Sequence, residues 1–403
     1  ADVDLIPMLN AGSTMYGGFR ADWAYGNFDS DVPMEYLVGR LPAENPAEAE
    51  IMVNKVLRYE KGTEAGDWLE TGVLIINEDD DPDDLLYQAN LDTARAGMNR
   101  CGYSTINEFH GNDGDNAVDV QDAVTEGAGF ILYRGQGTHN WYMPFAVDPL
   151  AIENENMTPI IASITCNTVT DYGSNYVDYH WMVSGTSEQG MGSVAFYGST
   201  SSISGGAHLR GEVSDGFVMS FFSDTTNDLG VCAEAGRLRV WTTYRDTAQY
   251  TSHVLLGDPE MDIRTRTPRV LALYHTGILV TDTLNEYTFT VIDEETFEPV
   301  SKALICLSGD GELYERGITD ADGNLFLTMY PTVTGTAQIV VTAHNYYPFT
   351  TEVDIISEGA NIVITDFRIE DEDGNDQVNP GESCEVFLTV KNNGLSSTSL
   401  VST

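Results

Sequence analysis

The chain has 403 residues, of which 42% are hydrophobic, and this length predicts two or three domains rather than one core. Its 63 acidic and 19 basic residues give a net charge of -44 at pH 7, which argues against nucleic acid or an anionic membrane surface as a partner, because both are polyanions. No apolar run in the sequence approaches the roughly 18 residues of a membrane span.

The first two thirds of the chain alternate helical and strand patterns. The clearest helix follows the N-cap residue Asn45, with Pro46 and Glu48 in its first turn. It ends at Gly62, and a second helical stretch covers 83–99. Short apolar runs between helices predict a mostly parallel sheet with helices on both faces. The predicted strands are 73–76, 129–133, 159–165, 193–197 and 253–256.

Two polar loops follow neighbouring runs of this pattern, at the carboxyl ends of strands, where sites collect in open α/β sheets. One follows strand 129–133 and carries Gln136 and His139; the other begins at Cys166, after strand 159–165. If the two strands are neighbours, the loops face each other. Cysteine attack on an amide needs a thiolate, a base or cation and amide donors for the oxyanion, and we expect the amides after Cys166 to be free for that purpose.

The last third of the chain consists of alternating strands and turns rich in Gly, Asp and Pro, a pattern typical of a β-sandwich. We therefore place one domain at 1–267 and a β-sandwich, either immunoglobulin-like or carboxypeptidase-regulatory-like, at 268–356. The segment 357–403 is interpreted as the incomplete start of a second sandwich.

An acidic turn in the third segment offers oxygen ligands at alternating positions. Such a set suits a structural Ca²⁺, although the twelve-residue loop and terminal Glu of an EF-hand are lacking. A solvated turn is the alternative interpretation, and no other cofactor is expected. The candidate ligands are Asp371, Asp373, Asn375 and Asp376.

The motif order resembles that of the gingipain-type cysteine peptidases. That family has a strand ending in Tyr-x-Gly-His-Gly and, one strand later, a strand ending in the nucleophilic cysteine; residues 133–137 (YRGQG) and Cys166 follow the same order. The resemblance spans nearly all of 1–267 and implies a caspase-like sheet followed by immunoglobulin-like domains. It begins after the family's first βα units, so the N-terminal part is expected to be missing. Further similar segments are 4–7 (DLIP), 38–42 (VGRLP), 192–196 (GSVAF) and 256–260 (LGDPE).

The resemblance also implies roles for individual residues. Cys166 takes the place of the nucleophile, and Glu78, just after strand 73–76, takes the place of the orienting acid. A surface carboxylate is the alternative for Glu78. An aromatic residue near the loop could line a substrate pocket, although such residues commonly belong to the core. The candidate substrate contacts are Gly135, Gly137, Trp141 and Asn167.

Gln136 stands where the family has its general-base histidine. An amide has no titratable proton near neutral pH, and general acid–base help is worth about 10²- to 10⁴-fold in rate. Three interpretations remain. His139 replaces the missing base, or the domain is a non-catalytic relative that binds, or Gln136 donates to the oxyanion while His180 or His208 supplies the base.

The sequence thus predicts a secreted or cell-surface cysteine endopeptidase that acts on a peptide or protein substrate. The alternative is a catalytically inactive relative that serves as an adhesive, surface or filament-forming protein, with homo-oligomer contacts through its β-sandwiches.

Overall fold

The structure, a computed structural model, describes residues 6–29, 31–62, 64–170, 176–203, 206–223, 227–357, 362–371, 383–392 and 396. The chain divides into two compact units, residues 1–268 and 269–403. This division lies one residue beyond the predicted boundary, whereas a separate third domain from 357 stays a prediction. Among the described residues, no helix is long and apolar enough to cross a membrane.

The first unit combines helices and strands. In chain order its elements are β1 (Leu9–Thr14), β2 (Gly17–Ala21), α1 (Trp23–Gly26), α2 (Pro46–Lys61), β3 (Thr71–Ile76), α3 (Asp84–Cys101), β4 (Thr105–His110), α4 (Ala117–Glu126), β5 (Phe130–Arg134), β6 (Gly137–Thr138), β7 (Asn140–Trp141), β8 (Ile160–Ile164), α5 (Val177–Val183), β9 (Ala195–Ser199), α6 (Ala207–Phe221), α7 (Leu229–Tyr244), α8 (Thr247–Ser252) and β10 (His253–Leu256).

The central sheet has the strand order β10-β9-β8-β5-β3-β4. All neighbours are parallel except β10, which runs antiparallel to β9, so the sheet is mixed. Both faces are buried: Leu74 and Ile76 of β3 pack into a core with α3, α6 and α7, while Val73 and Ile75 pack into a second core with α4 and α5. The near-continuous apolar runs follow from burial on both faces, which confirms the prediction of helices on each side.

The edge strand β4 was missing from the sequence prediction. Its sequence, TINEFH, mixes apolar and polar residues, and its side chains are only partly buried. An edge strand has one neighbour and less cover than a central strand, so it needs no continuous apolar run. The strand carries His110 to the carboxyl edge of the sheet.

Helix α2 confirms the predicted capping signals. The Asn45 side chain accepts a hydrogen bond from the Glu48 amide at 3.1 Å and donates to the Glu48 carboxylate at 2.7 Å. Gly62 ends the helix in the left-handed conformation (φ 65°), which favours glycine.

Asn45→Ala is expected to lower the free energy of unfolding of the first unit by about 1 kcal/mol, because a first-turn amide loses its acceptor. All five tryptophans precede residue 268, so urea unfolding followed by tryptophan fluorescence reports this unit. Glu50→Ala, an exposed change on the same helix, is the control and should stay within about 0.5 kcal/mol. Equal effects of the two changes would contradict the capping role.

In the second unit, the described residues form strands and no helix. A three-stranded sheet, β11-β13-β16, and a five-stranded sheet, β12-β18-β17-β14-β15, bury one shared core. A separate pair, β19-β20, follows. The strands are β11 (Leu271–His275), β12 (Leu279–Val280), β13 (Asn285–Asp293), β14 (Leu304–Gly309), β15 (Leu313–Ile318), β16 (Asn324–Met329), β17 (Gly335–Thr342), β18 (Phe349–Ile356), β19 (Ile362–Asp371) and β20 (Cys384–Asn392).

The predicted calcium ligands fall at the end of β19. Asp371 is the last residue of that strand. The other three, Asp373, Asn375 and Asp376, lie outside the described residues. The calcium site therefore stays a prediction.

Candidate active site

The carboxyl ends of β5 and β8 bring the two predicted loops together. The strands are parallel neighbours in which Arg134 pairs with Ile164, so Gln136 and Cys166 each come two residues after this last pair. Hydrogen bonds join the loops directly: Thr165 Oγ1 donates to the Gly135 carbonyl at 2.8 Å, and the His139 amide donates to the Asn167 carbonyl at 2.9 Å. The expectation that the loops face each other is confirmed.

Cys166 is half-buried, and its thiol lies 3.7 Å from the Ile203 carbonyl oxygen, to which it donates. In the described part of the chain, no histidine hydrogen-bonds to this sulfur. The next residue, Asn167, has φ 37° and donates its amide to the Ser201 carbonyl at 3.0 Å. The Asn167 amide is thus already used, contrary to the expectation that it is free for an oxyanion.

Both the side chain and the main chain of Gln136 form hydrogen bonds. Its side-chain amide donates to the Asp79 carboxylate, which comes from the loop after β3. Its main-chain carbonyl accepts hydrogen bonds from the Tyr142 amide at 3.2 Å and from the Tyr133 hydroxyl. The acid that contacts the base position is therefore Asp79, the neighbour of the predicted Glu78.

Glu78 instead contacts β4 and the turn after it. Its carboxylate lies 3.5 Å from His110 Nδ1 and accepts from the Asn112 amide at 3.2 Å. On its other side the His110 ring lies 3.7 Å from Glu108, which pairs with Arg95. The sequence interpretation missed His110 because it missed β4; the apolar residues Ile106 and Phe109 were the available signal.

His139 stands at the tip of the short β6-β7 hairpin with φ 65° and an exposed side chain. Its ring meets the Tyr176 ring edge-on at 4.2 Å between centroids, and its carbonyl accepts from the Val177 amide at 2.8 Å. Within the described residues the ring hydrogen-bonds to neither Cys166 nor Gln136. The main chain of His139, rather than its imidazole, links the cysteine loop to α5.

The other two histidines considered from the sequence contact tyrosine rings. His180 lies in α5 with its ring 5.7 Å from that of Tyr179, and His208 lies in α6 with its ring 5.2 Å from that of Tyr244. Neither hydrogen-bonds to Cys166 in the described structure.

The glycines allow close approach of the loops. Gly135 has φ 149°, and a Cβ there would lie 2.5 Å from Asn77 Cβ; at Gly137 a Cβ would lie 2.9 Å from Thr165 Cγ2. Larger residues at either position would push the loop away from its neighbours.

Trp141 belongs to the core, which corrects its assignment as a substrate contact. Its side chain is 1% exposed, stacks on Tyr133 at 4.6 Å, and donates from Nε1 to Ser163 Oγ at 2.9 Å. A side chain so enclosed has no free surface for a substrate.

Two groups of carboxylates each gather their oxygens within 4.8 Å of one another in the described structure. Such oxygens are suitable ligands for hard cations. Exposed acids also gather without a metal, and neither group includes the predicted calcium ligands. The groups are Asp29, Asp31 and Glu35, and Asp79, Asp81 and Asp84.

A buried carboxyl supports the segment after Cys166. Asp178, in the first turn of α5, accepts a hydrogen bond from the Thr170 amide at 3.1 Å, while its second oxygen is buried and has no hydrogen-bond partner among the described residues. Burial raises the pKa of Asp178 to about 7. The folded protein therefore holds this proton at pH values where the unfolded chain, with a carboxyl pKa of about 3.9, has lost it.

Asp178→Asn is expected to remove part of the pH dependence of stability. Because the folded pKa is raised, the contribution of Asp178 is fully present below about pH 4 and is lost as the pH rises to about 7, by up to about 4 kcal/mol. The free energy of unfolding of wild type minus that of Asp178→Asn should fall over this range. Parallel pH profiles for the two proteins would contradict the assignment.

The first unit has a mixed α/β sheet with a half-buried cysteine at the carboxyl edge of a parallel strand, an arrangement that suits a cysteine peptidase-like protein. The sequence profile of peptidase family C25 matches residues 1–264, and the chain belongs to this family. No curated protein matches the chain.

Solved structures are similar to this fold. The Arg-specific cysteine proteinase gingipain R (RgpB) superposes with a TM-score of 0.74 at 16% identity, covering 87% of this chain and 81% of that one. A complex of the Porphyromonas gingivalis RgpB pro- and mature domains gives 0.72 at 16% identity, covering 85% and 82%. A structure described as a protease gives 0.71 at 18% identity, covering 85% and 79%. At these identities the similarity establishes a gingipain-like fold.

Proposed function

We propose that this chain is a peptidase-fold protein that has lost efficient hydrolysis and acts by binding polypeptide. The observation that carries this proposal is the position of Gln136, which stands at the base position with its amide bound to Asp79. A side-chain amide does not accept a proton near neutral pH, so Gln136 cannot serve as the base, and one of its two N–H groups is already engaged by Asp79. This argues against proton transfer by the residue at position 136.

The environment of Cys166 supports the same proposal. A nucleophilic thiol is normally activated by an adjacent base or cation within hydrogen-bond reach. The partner here is the Ile203 carbonyl, an acceptor that holds the thiol proton in place. Without a base, the rate is expected to fall by about 10²- to 10⁴-fold from that of a complete site.

Hydrolysis with His139 as the base is the second candidate function. It is favoured by one observation, namely that the His139 amide hydrogen-bonds to the residue after Cys166, so its loop adjoins the nucleophile. Reaching the thiol would require the exposed ring to leave Tyr176. Catalytic hydrogen bonds are often formed only once a substrate is bound, so a functional test is needed.

The wider role proposed here is that of an extracellular adhesive or structural protein. The β-rich second unit supports it, because two sheets on one core suit an immunoglobulin-like module that contacts other polypeptides, including further copies of this chain. The strongly acidic composition, with its net charge of -44, is compatible with bound Ca²⁺ in the segment after β19.

A peptidyl electrophile directed at thiols separates the two candidates. Exposed Cys384 is an internal reference for general thiol reactivity, and Cys166→Ser defines the background. The proposal predicts that Cys166 labels no faster than Cys384 and that His139→Ala changes nothing. Fast labelling of Cys166 that His139→Ala abolishes would establish His139 as the base and overturn the proposal.

A further inference from the structure

Two arginines are buried beside the start of α6. Arg134, the last residue of β5, is 0% exposed and Arg210, in the first turn of α6, is 5% exposed. Arg134 donates to the Asn90 side-chain oxygen at 2.8 Å, to the Ala207 carbonyl at 3.1 Å and to the Ile164 carbonyl. All three acceptors are neutral, so the positive charge of Arg134 is solvated by dipoles and is not cancelled.

Arg210 differs, because two of its three guanidinium nitrogens are buried without a hydrogen-bond partner in the described structure. Its Nε and Nη2 atoms are buried and form no hydrogen bond in the described structure, and no described carboxylate forms an ion pair with it. A buried charge without a partner costs several kcal/mol, and buried guanidinium groups are normally paired. In a chain with a net charge of -44, an unpaired buried cation is the more unusual because carboxylates are abundant.

The first turn of α6 adds further donors at the same place. The helix has fifteen residues, its N-cap is Gly206, and neither a side-chain cap nor an acidic residue occupies its first turn. Arg210 Nη1 would lie 3.6 Å from a Cβ placed on Gly206, so the guanidinium reaches the helix start. Free amides at a helix N-terminus carry partial positive charge and bind anions.

We propose that Arg210 and the first-turn amides of α6 bind an oxyanion, either a carboxylate or a phosphate. A guanidinium offers parallel N–H groups that match two oxygens of such a group. Arg134 already donates hydrogen bonds to other groups, so it contributes positive charge near the site but no free donor. Ile203 forms the wall of the site. Its side chain packs against Gly206, and its carbonyl accepts a hydrogen bond from the Cys166 thiol. The ligand would therefore lie beside the cysteine loop.

The test is thermal unfolding of the full chain with sodium phosphate or sodium acetate, each matched in ionic strength with sodium chloride. A saturable rise in Tm of about 5 °C or more is expected at one hundred times the dissociation constant. Phosphate alone, acetate alone or both support the site and identify its ligand class. Arg210→Gln should abolish the rise, whereas Arg239→Gln, which removes a guanidinium paired with Glu212 at 2.7 Å on the next helix, should keep it.

Calorimetric titration of wild type with the same two anions keeps the proposal testable if Arg210→Gln does not fold. Saturable heat from either anion supports the site. The absence of saturable binding of both anions to wild type overturns it, and so does an unchanged rise in Tm in folded Arg210→Gln. Neither measurement depends on Cys166, so its result is independent of the peptidase question.

Discussion

Gln136→His is expected to raise the rate of peptide hydrolysis by about 10²- to 10⁴-fold over wild type, the usual worth of a general base. Position 136 lies in the loop that is hydrogen-bonded to the Cys166 loop, and Asp79 already contacts the side chain there. An imidazole at this position would have a carboxylate to orient it and a thiol to deprotonate. The gain should appear in the cleavage of a fluorogenic peptide mixture.

Three further variants show whether the gain has this origin. Cys166→Ala in the Gln136→His background should return the rate to that of wild type. Asp79→Asn in the same background should lower it, because the imidazole loses its carboxylate partner, while His139→Ala should leave it unchanged. A Gln136→His protein that folds and still cleaves no faster than wild type would show that more than the base is missing.

Trp141→Ala is expected to lower the free energy of unfolding of the first unit by about 3–5 kcal/mol. The side chain is 1% exposed and contacts Tyr133 and Ser163, so its removal leaves a large cavity, and the Ser163 hydroxyl loses one of its two hydrogen-bond partners. Urea unfolding followed by the remaining tryptophans measures the loss. The adjacent Tyr142→Ala, at 45% exposure, is the matched control and should cost much less.

Comparison of Trp141→Ala with Tyr142→Ala also shows whether Trp141 packs in the core or contacts substrate. If Trp141 contacted substrate instead, Trp141→Ala would lower polypeptide binding while leaving stability near that of Tyr142→Ala. A loss of stability below about 1 kcal/mol would contradict the core assignment.

Local signals in the sequence were sufficient to predict much of the secondary structure of the first unit. The cap at Asn45 and the left-handed Gly62 act within one turn of the chain, so both ends of α2 could be predicted. Apolar runs buried on both faces marked β3, β5 and β8. The sequence predicted that the Gln136 and Cys166 loops meet only on the condition that β5 and β8 are neighbours, and the structure supplies that pairing.

Other features depend on contacts that no local pattern encodes. The carboxylate that meets Gln136 belongs to Asp79, 57 residues earlier in the chain, whereas the sequence interpretation assigned this place to Glu78. Burial of Trp141 and the missing partner of Arg210 depend on how several elements pack together. Such features follow from the tertiary fold and appear only when all the neighbours are known.

Digestion of a peptide library by wild type and by Cys166→Ala, with products identified by mass spectrometry, tests the central claim most directly. Because no base hydrogen-bonds to Cys166 in the part of the chain that the structure describes, both proteins are expected to give the same product set and the same low yield. Cleavage products that wild type generates and Cys166→Ala does not would contradict the claim and show an active peptidase.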